Sequence, residues 1–290
     1  MNKKVAIVTG ANGGMGKVLT GTLAKEGYMV IMACLNIDRA TTVFEQFNAT
    51  YPSQIALYPL NLASFASIIQ FANQIKHDYE QIDILLNNAG ILSHHADVTE
   101  EGFEITAGTN YLGHLLLTTL LTPLFKTGSR VVITGSMTHN WYNLSPSFLQ
   151  AVTDKQFNRF KTYSDSKQAL LFYTLDQAEI WREQGIAIHY VDPGIVNTGI
   201  LCMDNRFIDS LCNVLFRPFI RTPEKGAETI LYAALSPEIE GESGQFYANK
   251  RKKRLSQKEI NHPMRKWLRE EREKLLSTAP LTLNLLTFNL

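Results

Sequence analysis

Tyr163 and Lys167 stand four residues apart in Tyr163-Ser164-Asp165-Ser166-Lys167. Positions i and i+4 share one face of a helix, so a helix there turns a phenol and an ammonium to the same side. A free phenol, with a pKa of about 10, is a poor base near neutrality. A neighbouring ammonium favours the phenolate and lowers that value. Such a pair is suited to exchanging a proton with an oxygen whose charge changes during a reaction. Far upstream, Thr9-Gly10-Ala11-Asn12-Gly13-Gly14-Met15-Gly16 follows the apolar run Val5-Ala6-Ile7-Val8. Gly10, Gly14 and Gly16 permit a sharp turn and a close approach of backbone to a pyrophosphate, whose charge the next helix N-terminus meets. A dinucleotide loop followed by a proton-transfer pair describes a hydride-transferring, nicotinamide-dependent oxidoreductase, whose oxidised nicotinamide ring joins the ammonium in favouring the phenolate.

Elements that could position these groups alternate along the chain. Apolar runs at 5–8, 28–34, 55–60, 82–86, 130–134, 186–191 and 244–247 read as strands. Stretches at 15–26, 38–48, 64–79, 103–125, 163–183 and 222–235 read as helices. Such alternation predicts an α/β fold: a single Rossmann-type, doubly wound parallel sheet with helices on both faces. Ligands of such sheets bind beyond the carboxyl ends of the strands. Asn87-Asn88-Ala89-Gly90 falls at such an end; its small residues let chain pass beside a ligand, and its amides can tie neighbouring strands together. One domain over residues 1–250 is expected, with a basic helical appendage and apolar tail over 251–290.

In combination, Thr-Gly-x-x-x-Gly-x-Gly, Asn-Asn-Ala-Gly, Tyr-x-x-x-Lys and Pro193-Gly194 resemble the short-chain dehydrogenase/reductase family from about residue 3 to residue 250. Asn110-Tyr111-Leu112-Gly113-His114, the long segment from Ser136 to Tyr163, and Thr222-Pro223-Glu224-Lys225-Gly226-Ala227 resemble its retinol dehydrogenase-like and protochlorophyllide reductase-like branch. The resemblance implies Tyr163 as general acid/base, with Lys167 as its electrostatic partner and a ligand of the nicotinamide ribose. It implies Ser136 on the substrate oxygen, with Thr134 as a fallback, and Asn110 holding a water that links Lys167 to solvent. The implied cofactor contacts are Gly10, Asn12, Gly14, Met15, Gly16, Asn61, Leu62, Asn88, Ala89, Gly90, Tyr163, Lys167, Pro193, Gly194, Ile195 and Thr198. The branch favours NADP. Here Leu35 stands where NADP-preferring relatives carry Arg, NAD-preferring relatives carry Asp at the end of strand 2, and Asn61 replaces a common Asp beside the adenine. NAD therefore stays open as the cofactor.

The bulk numbers exclude other classes. A net charge of +1 over 290 residues gives no overall field for nucleic acid. Residues 250–274 concentrate a local charge of +7, read as a solvated helix face, and 262–276 form a basic amphipathic pattern with Trp267 as a candidate anchor. Peripheral membrane contact is open for that helix and the apolar tail, whereas no run of about 18 apolar residues spans a bilayer. Cys34, Cys202 and Cys212 give neither a disulfide framework nor zinc spacing. His94, His95, His114, His139 and His189 complete no ligand set, so no metal is expected. A cytoplasmic location and a homo-oligomer are expected. Apolar residues between Thr198 and Arg221, with Trp141, Tyr142 and Phe148, suggest a lipophilic alcohol or carbonyl substrate. Reduction of a conjugated double bond and a non-catalytic, dinucleotide-sensing scaffold are the alternatives.

Overall fold

The computed structural model describes residues 3–196 and 220–277. Seven parallel strands form the sheet: β1 (Val5–Thr9), β2 (Met29–Cys34), β3 (Ile55–Pro59), β4 (Ile82–Asn87), β5 (Phe125–Thr134), β6 (Ala187–Asp192) and β7 (Gln245–Ala248). An eighth, β8 (Arg251–Lys253), pairs antiparallel with β7. The order β3-β2-β1-β4-β5-β6-β7-β8 reverses direction at β1, between β2 and β4. That switch opens a crevice at the strand ends where the glycine loop lies.

Parallel strands are buried on both faces, which is why they read as unbroken apolar runs. Ile7, Ile31, Leu85 and Val131 face one side, against Phe71 of α3 (Phe65–Asp78), Leu115 of α5 (Gly113–Leu121) and Phe172 of α6 (Arg159–Trp181). Their neighbours Ala6, Val8, Val30 and Leu86 face the other side, against Leu19 of α1 (Gly14–Lys25) and Ile230 of α7 (Pro223–Leu235). Side-chain oxygens start the helices by accepting orphan backbone N–H groups. Asn36 does so for α2 (Ile37–Thr50), Ser64 for α3, Asn158 for α6 and Thr222 for α7. The Asn158 cap starts α6 one turn before the expected position, so Tyr163 lies inside the helix rather than at its end.

The expected helix over 103–125 is shorter and interrupted. It begins as α4 (Ile105–Ala107), widens into a π-type turn over Gly108–Leu112, and resumes as α5. Phe103 bridges to Gln150, and Phe125 opens β5 after a tight turn at Pro123. Two glycines let the run pass its neighbours. A Cβ on Gly113 would stand 2.4 Å from the Leu62 carbonyl oxygen, and one on Gly108 would meet Thr99 at 2.2 Å.

The sheet continues past residue 250, where the sequence reading placed the domain boundary. Asn249 and Lys250, with φ of 55° and 57°, make the two-residue turn into β8. Positive φ at both central positions matches the twist of paired strands. After α8 (Gln257–Ile260), α9 (Met264–Leu276) lies along α6. Met264 and Leu268 enter the core, and the Trp267 ring is 6.3 Å from that of Phe148. The Arg265 Nε donates to Asp176 Oδ1 at 2.9 Å. Lys266 stays exposed on the outer side. Among the described residues no helix is long and apolar enough to cross a membrane, and no cluster of three or more His, Cys, Asp or Glu could hold a metal.

Gly113→Ala is expected to cost about 1–3 kcal/mol, because the obstacle is Leu62 backbone rather than a flexible side chain. Urea unfolding checks this; an unchanged midpoint would show that α5 can move away freely.

Candidate active site

The glycine loop folds onto the end of β4. Gly10 has φ of 64° and donates to Ala33 O at 2.8 Å. A Cβ on Gly16 would lie 2.1 Å from Gly10 O, so the loop closes on the start of α1 only with glycine there. Asn12, Gly14 and Met15 line a cavity of about 460 Å³ together with Gly10, Gly16, Leu35, Asn61, Leu62, Asn88, Ala89 and Gly90. Asn88 Nδ2 donates to Thr9 O at 2.9 Å, while its Oδ1 is buried with no partner among the described residues. Asn61 Oδ1 accepts from Ala63 N at 3.0 Å, which fixes the turn after β3. A glycine-built cradle at a helix start, with an unpartnered amide oxygen beside it, fits a dinucleotide. Pro193, Gly194 and Ile195 follow β6, and Thr198 lies outside the described residues. Gly194 has φ of 80°, and Arg221 supports this turn, donating from N to Ile195 O at 2.7 Å and from Nη1 to Pro193 O at 3.2 Å.

Tyr163 and Lys167 share the face of α6 that meets the ends of β5 and β6. Lys167 is 3% exposed, its Nζ donates to Thr134 O at 2.8 Å, and it lies 5.4 Å from the centre of the Tyr163 ring. The Ser136 side chain faces the Tyr163 phenol and favours its ionised form. The Ser136 Oγ also accepts from Thr138 N at 3.1 Å and Thr138 Oγ1 at 3.0 Å. A hydroxyl has two acceptor sites and one proton, so this proton is left for the phenol or for an oxygen beside it. Gly90 keeps the approach open: a Cβ there would stand 3.7 Å from Lys167 Nζ and 3.3 Å from Asn110 Oδ1.

The protein's own groups raise the phenol, whereas the sequence-based expectation of a lowered one included the charge of an oxidised nicotinamide. Burial pushes Tyr163 up to about 12, the Asp192 charge adds to the rise, and the Ser136 side chain opposes it. Burial also brings Lys167 down to about 8, against the pull of Asp192. Each shift favours the uncharged form, because desolvation here outweighs the attraction within the pair. The protein itself thus keeps Tyr163 as a protonated phenol.

Asn110 lies in the π-type turn, and its side chain is spent on protein partners. Oδ1 accepts from Ile91 N at 2.8 Å, and Nδ2 donates to Ile91 O at 2.9 Å and Ser166 Oγ at 3.1 Å. It pins the loop after β4 to α6.

Sequence reasoning missed the groups behind the site. The Thr9 Oγ1 accepts from Asn88 N and Ala89 N, each at 2.9 Å, and lies 3.2 Å from His114 Nε2. His114 Nδ1 is 2.9 Å from Asn110 O, a pure acceptor, and burial lowers this imidazole to about 4. The ring is therefore neutral, with Nδ1 donating and Nε2 accepting from Thr9. Tyr190 Oη accepts from Ser136 N at 2.9 Å and donates to Ser136 O at 3.0 Å. His114 was visible in Asn-x-Leu-Gly-His and Asp192 directly before Pro193-Gly194, whereas Tyr190 carries no sequence signal beyond its strand.

Thr9→Val keeps the shape but leaves the Ala89 N–H and a ring nitrogen without a partner, and leaves the Asn88 N–H only its second acceptor, Leu86 O at 2.9 Å. Loss of about 1–3 kcal/mol of stability is expected, together with weaker dinucleotide binding. Thermal melts and a cofactor titration check both; unchanged values in each would remove Thr9 from the network.

The model of the short chain dehydrogenase family matches residues 4–206. Mouse retinol dehydrogenase 14 is 30% identical over 280 residues, covering 90% of this chain and 82% of its own length. Mouse polyprenol dehydrogenase is 34% identical over 252 residues, covering 84% of this chain and 75% of its own. Among solved structures, a short chain dehydrogenase of Shigella flexneri complexed with NADP superposes with a TM-score of 0.66 at 20% identity, covering 87% of this chain and 98% of that one. The chain belongs to the short chain dehydrogenase family, in its retinol dehydrogenase-like branch, and is an oxidoreductase that uses a nicotinamide dinucleotide.

Proposed function

We propose that this protein reduces a lipophilic carbonyl, or oxidises the matching alcohol, with NADP(H) as the hydride carrier. The observation that carries the reading is the geometry of the pair: Lys167, buried and donating to Thr134 O, stands 5.4 Å from the centre of the Tyr163 ring, with Ser136 facing the phenol and the glycine-built cradle alongside.

Bound in that cradle, the nicotinamide supplies the hydride in one direction and accepts it in the other. The chain's own residues do the rest. Gly10, Gly14 and Gly16 admit the pyrophosphate, and Asn88, Ala89 and Gly90 border the path toward α6. The turn at Pro193, Gly194 and Ile195, with Thr198, orients the carboxamide. Ser136 donates a hydrogen bond to the substrate oxygen, keeping its proton, and so stabilises charge as it builds. Tyr163 gives up its phenolic proton to the same oxygen, and Lys167 favours the phenolate that results. A phenol held protonated by its surroundings suits carbonyl reduction. Lipophilic character is supported by Met137, Trp141 and Ile195, which stay 48%, 61% and 50% exposed in the loops after β5 and β6. NADP is supported by the end of β2, where Cys34-Leu35-Asn36 offers no carboxylate to meet a ribose diol or repel a 2′-phosphate.

Two measurements test this reading. Fluorescence titration is expected to show NADPH binding at least about tenfold tighter than NADH, a difference of about 1.4 kcal/mol. Equal binding would sink the NADP assignment, and failure of both would sink the enzymatic one. Tyr163→Phe is expected to lower kcat at least about 100-fold on long-chain aldehydes while cofactor affinity holds. Full turnover in that variant would remove Tyr163 from proton transfer.

A further inference from the structure

His139 lies behind Ser136 and takes no part in the steps above. It is 2% exposed, and its ring stands edge-on to Tyr190 and Phe246, with centroids at 5.8 and 5.5 Å. Nδ1 is 2.8 Å from Ser136 O, and Nε2 is 2.9 Å from Glu259 Oε1. A carbonyl and a carboxylate only accept hydrogen bonds, so the ring meets both with N–H donors. Glu259 is itself held: Oε2 accepts from Ser256 N and Ser256 Oγ, each at 2.7 Å, in the capping box that opens α8. An unbroken chain of hydrogen bonds thus runs from the C-terminal segment through Glu259 and His139 to the backbone of Ser136.

The same residue is gripped from other directions. Tyr190 Oη takes both backbone polar groups of Ser136, and Ser164 Oγ donates to Thr138 O at 2.6 Å. A Cβ on Gly135 would fall 2.0 Å from the Tyr190 ring, so the loop is pressed against β6. The loop nevertheless leaves the sheet after Thr134, with one further backbone bond to β6, from Gly135 N to Val191 O at 2.7 Å. The His139 bond to Ser136 O resists rotation of that peptide, and with it displacement of the hydroxyl.

We propose that His139 and Glu259 form a positioning pair by which the C-terminal segment holds Ser136 against Tyr163. The proposal rests on the roles given above to Ser136 and Tyr163. The pair acts by holding Ser136 in place. Displacements on the order of 1 Å at a reacting centre can cost about 100-fold in rate, which makes such a tether matter without any chemistry of its own.

Glu259→Ala and Glu259→Gln, in the full chain, test it. Gln keeps an oxygen that accepts from His139. NADPH titration counts competent sites, so that kcat is expressed per site and partial unfolding cannot imitate the effect. Amide hydrogen exchange is followed over residues 135–140. For Ala, kcat per site is expected to fall about tenfold with little change in KM for the carbonyl or in NADPH affinity, and exchange should quicken in that loop. Gln should restore most of both. Normal kcat per site overturns the proposal, whether or not exchange changes, because the contact is then structural only. A lower kcat with unchanged exchange overturns it too, since Glu259 would then act elsewhere. If the parent chain turns over no carbonyl or alcohol, the proposed function fails by itself. Exchange then decides the tether: quickening in Ala reversed by Gln supports it, and no quickening overturns it.

Discussion

Thr9 Oγ1 sits where the ends of β1 and β4 meet the helix carrying Asn110, and four partners converge on it. Two backbone N–H groups of the Asn88-Ala89 turn donate to it, and its own proton is shared between the neutral His114 ring at 3.2 Å and Leu86 O at 3.3 Å. That ring passes the constraint to the Asn110 carbonyl, and the Asn110 side chain passes it to Ile91 and Ser166. One hydroxyl thereby aligns the glycine loop, the loop after β4 and α6. A buried network of this kind is worth having only when every member is satisfied, because each orphaned group bears its full desolvation cost. The π-type turn at Gly108–Leu112 belongs to the same solution: it delivers the Asn110 amide to Ile91 while Gly113 passes close to Leu62.

On this frame α6 carries the reactive pair through the interior. Tyr163-x-x-x-Lys167 sets an ammonium beside a phenol, and with the charge of an oxidised nicotinamide that neighbourhood favours the phenolate. In the fold both groups are desolvated, and that effect is first among the causes for each. Asp192 adds a negative charge that raises both pKa values. The outcome is a phenol that holds its proton and a lysine close to losing one, poised to respond when positive charge enters the cleft.

The basic C-terminal stretch divides its charges. Lys266 remains solvated, whereas Arg265 reaches Asp176, a carboxylate 3% exposed on α6. Burial raises Asp176, and the Arg265 hydrogen bond counters it. A pair this buried contributes less through net attraction than through what its breakage would expose, so it fixes where α9 lies more than how stable the protein is. Trp267, the candidate anchor, packs at Phe148, and Met264 and Leu268 complete the cover over α6. That docking brings Glu259 within reach of His139.

The sequence by itself determined what depends on local rules. Parallel strands buried on both faces must be apolar runs, so β1 through β7 could be read within a residue or two, apart from a longer β5. Glycine at 10, 14 and 16, and the i, i+4 spacing of Tyr163 and Lys167, state their purpose without a partner. What only the tertiary structure decided involves residues distant in the chain. Thr9 and His114 are 105 residues apart, and His139 and Glu259 are 120 apart. No periodicity encodes such meetings, and the same is true of the π-type turn and of the sign of the Tyr163 shift. Side-chain spacing specifies which groups can share a face. Only packing decides how much water they keep, and that sets their charge.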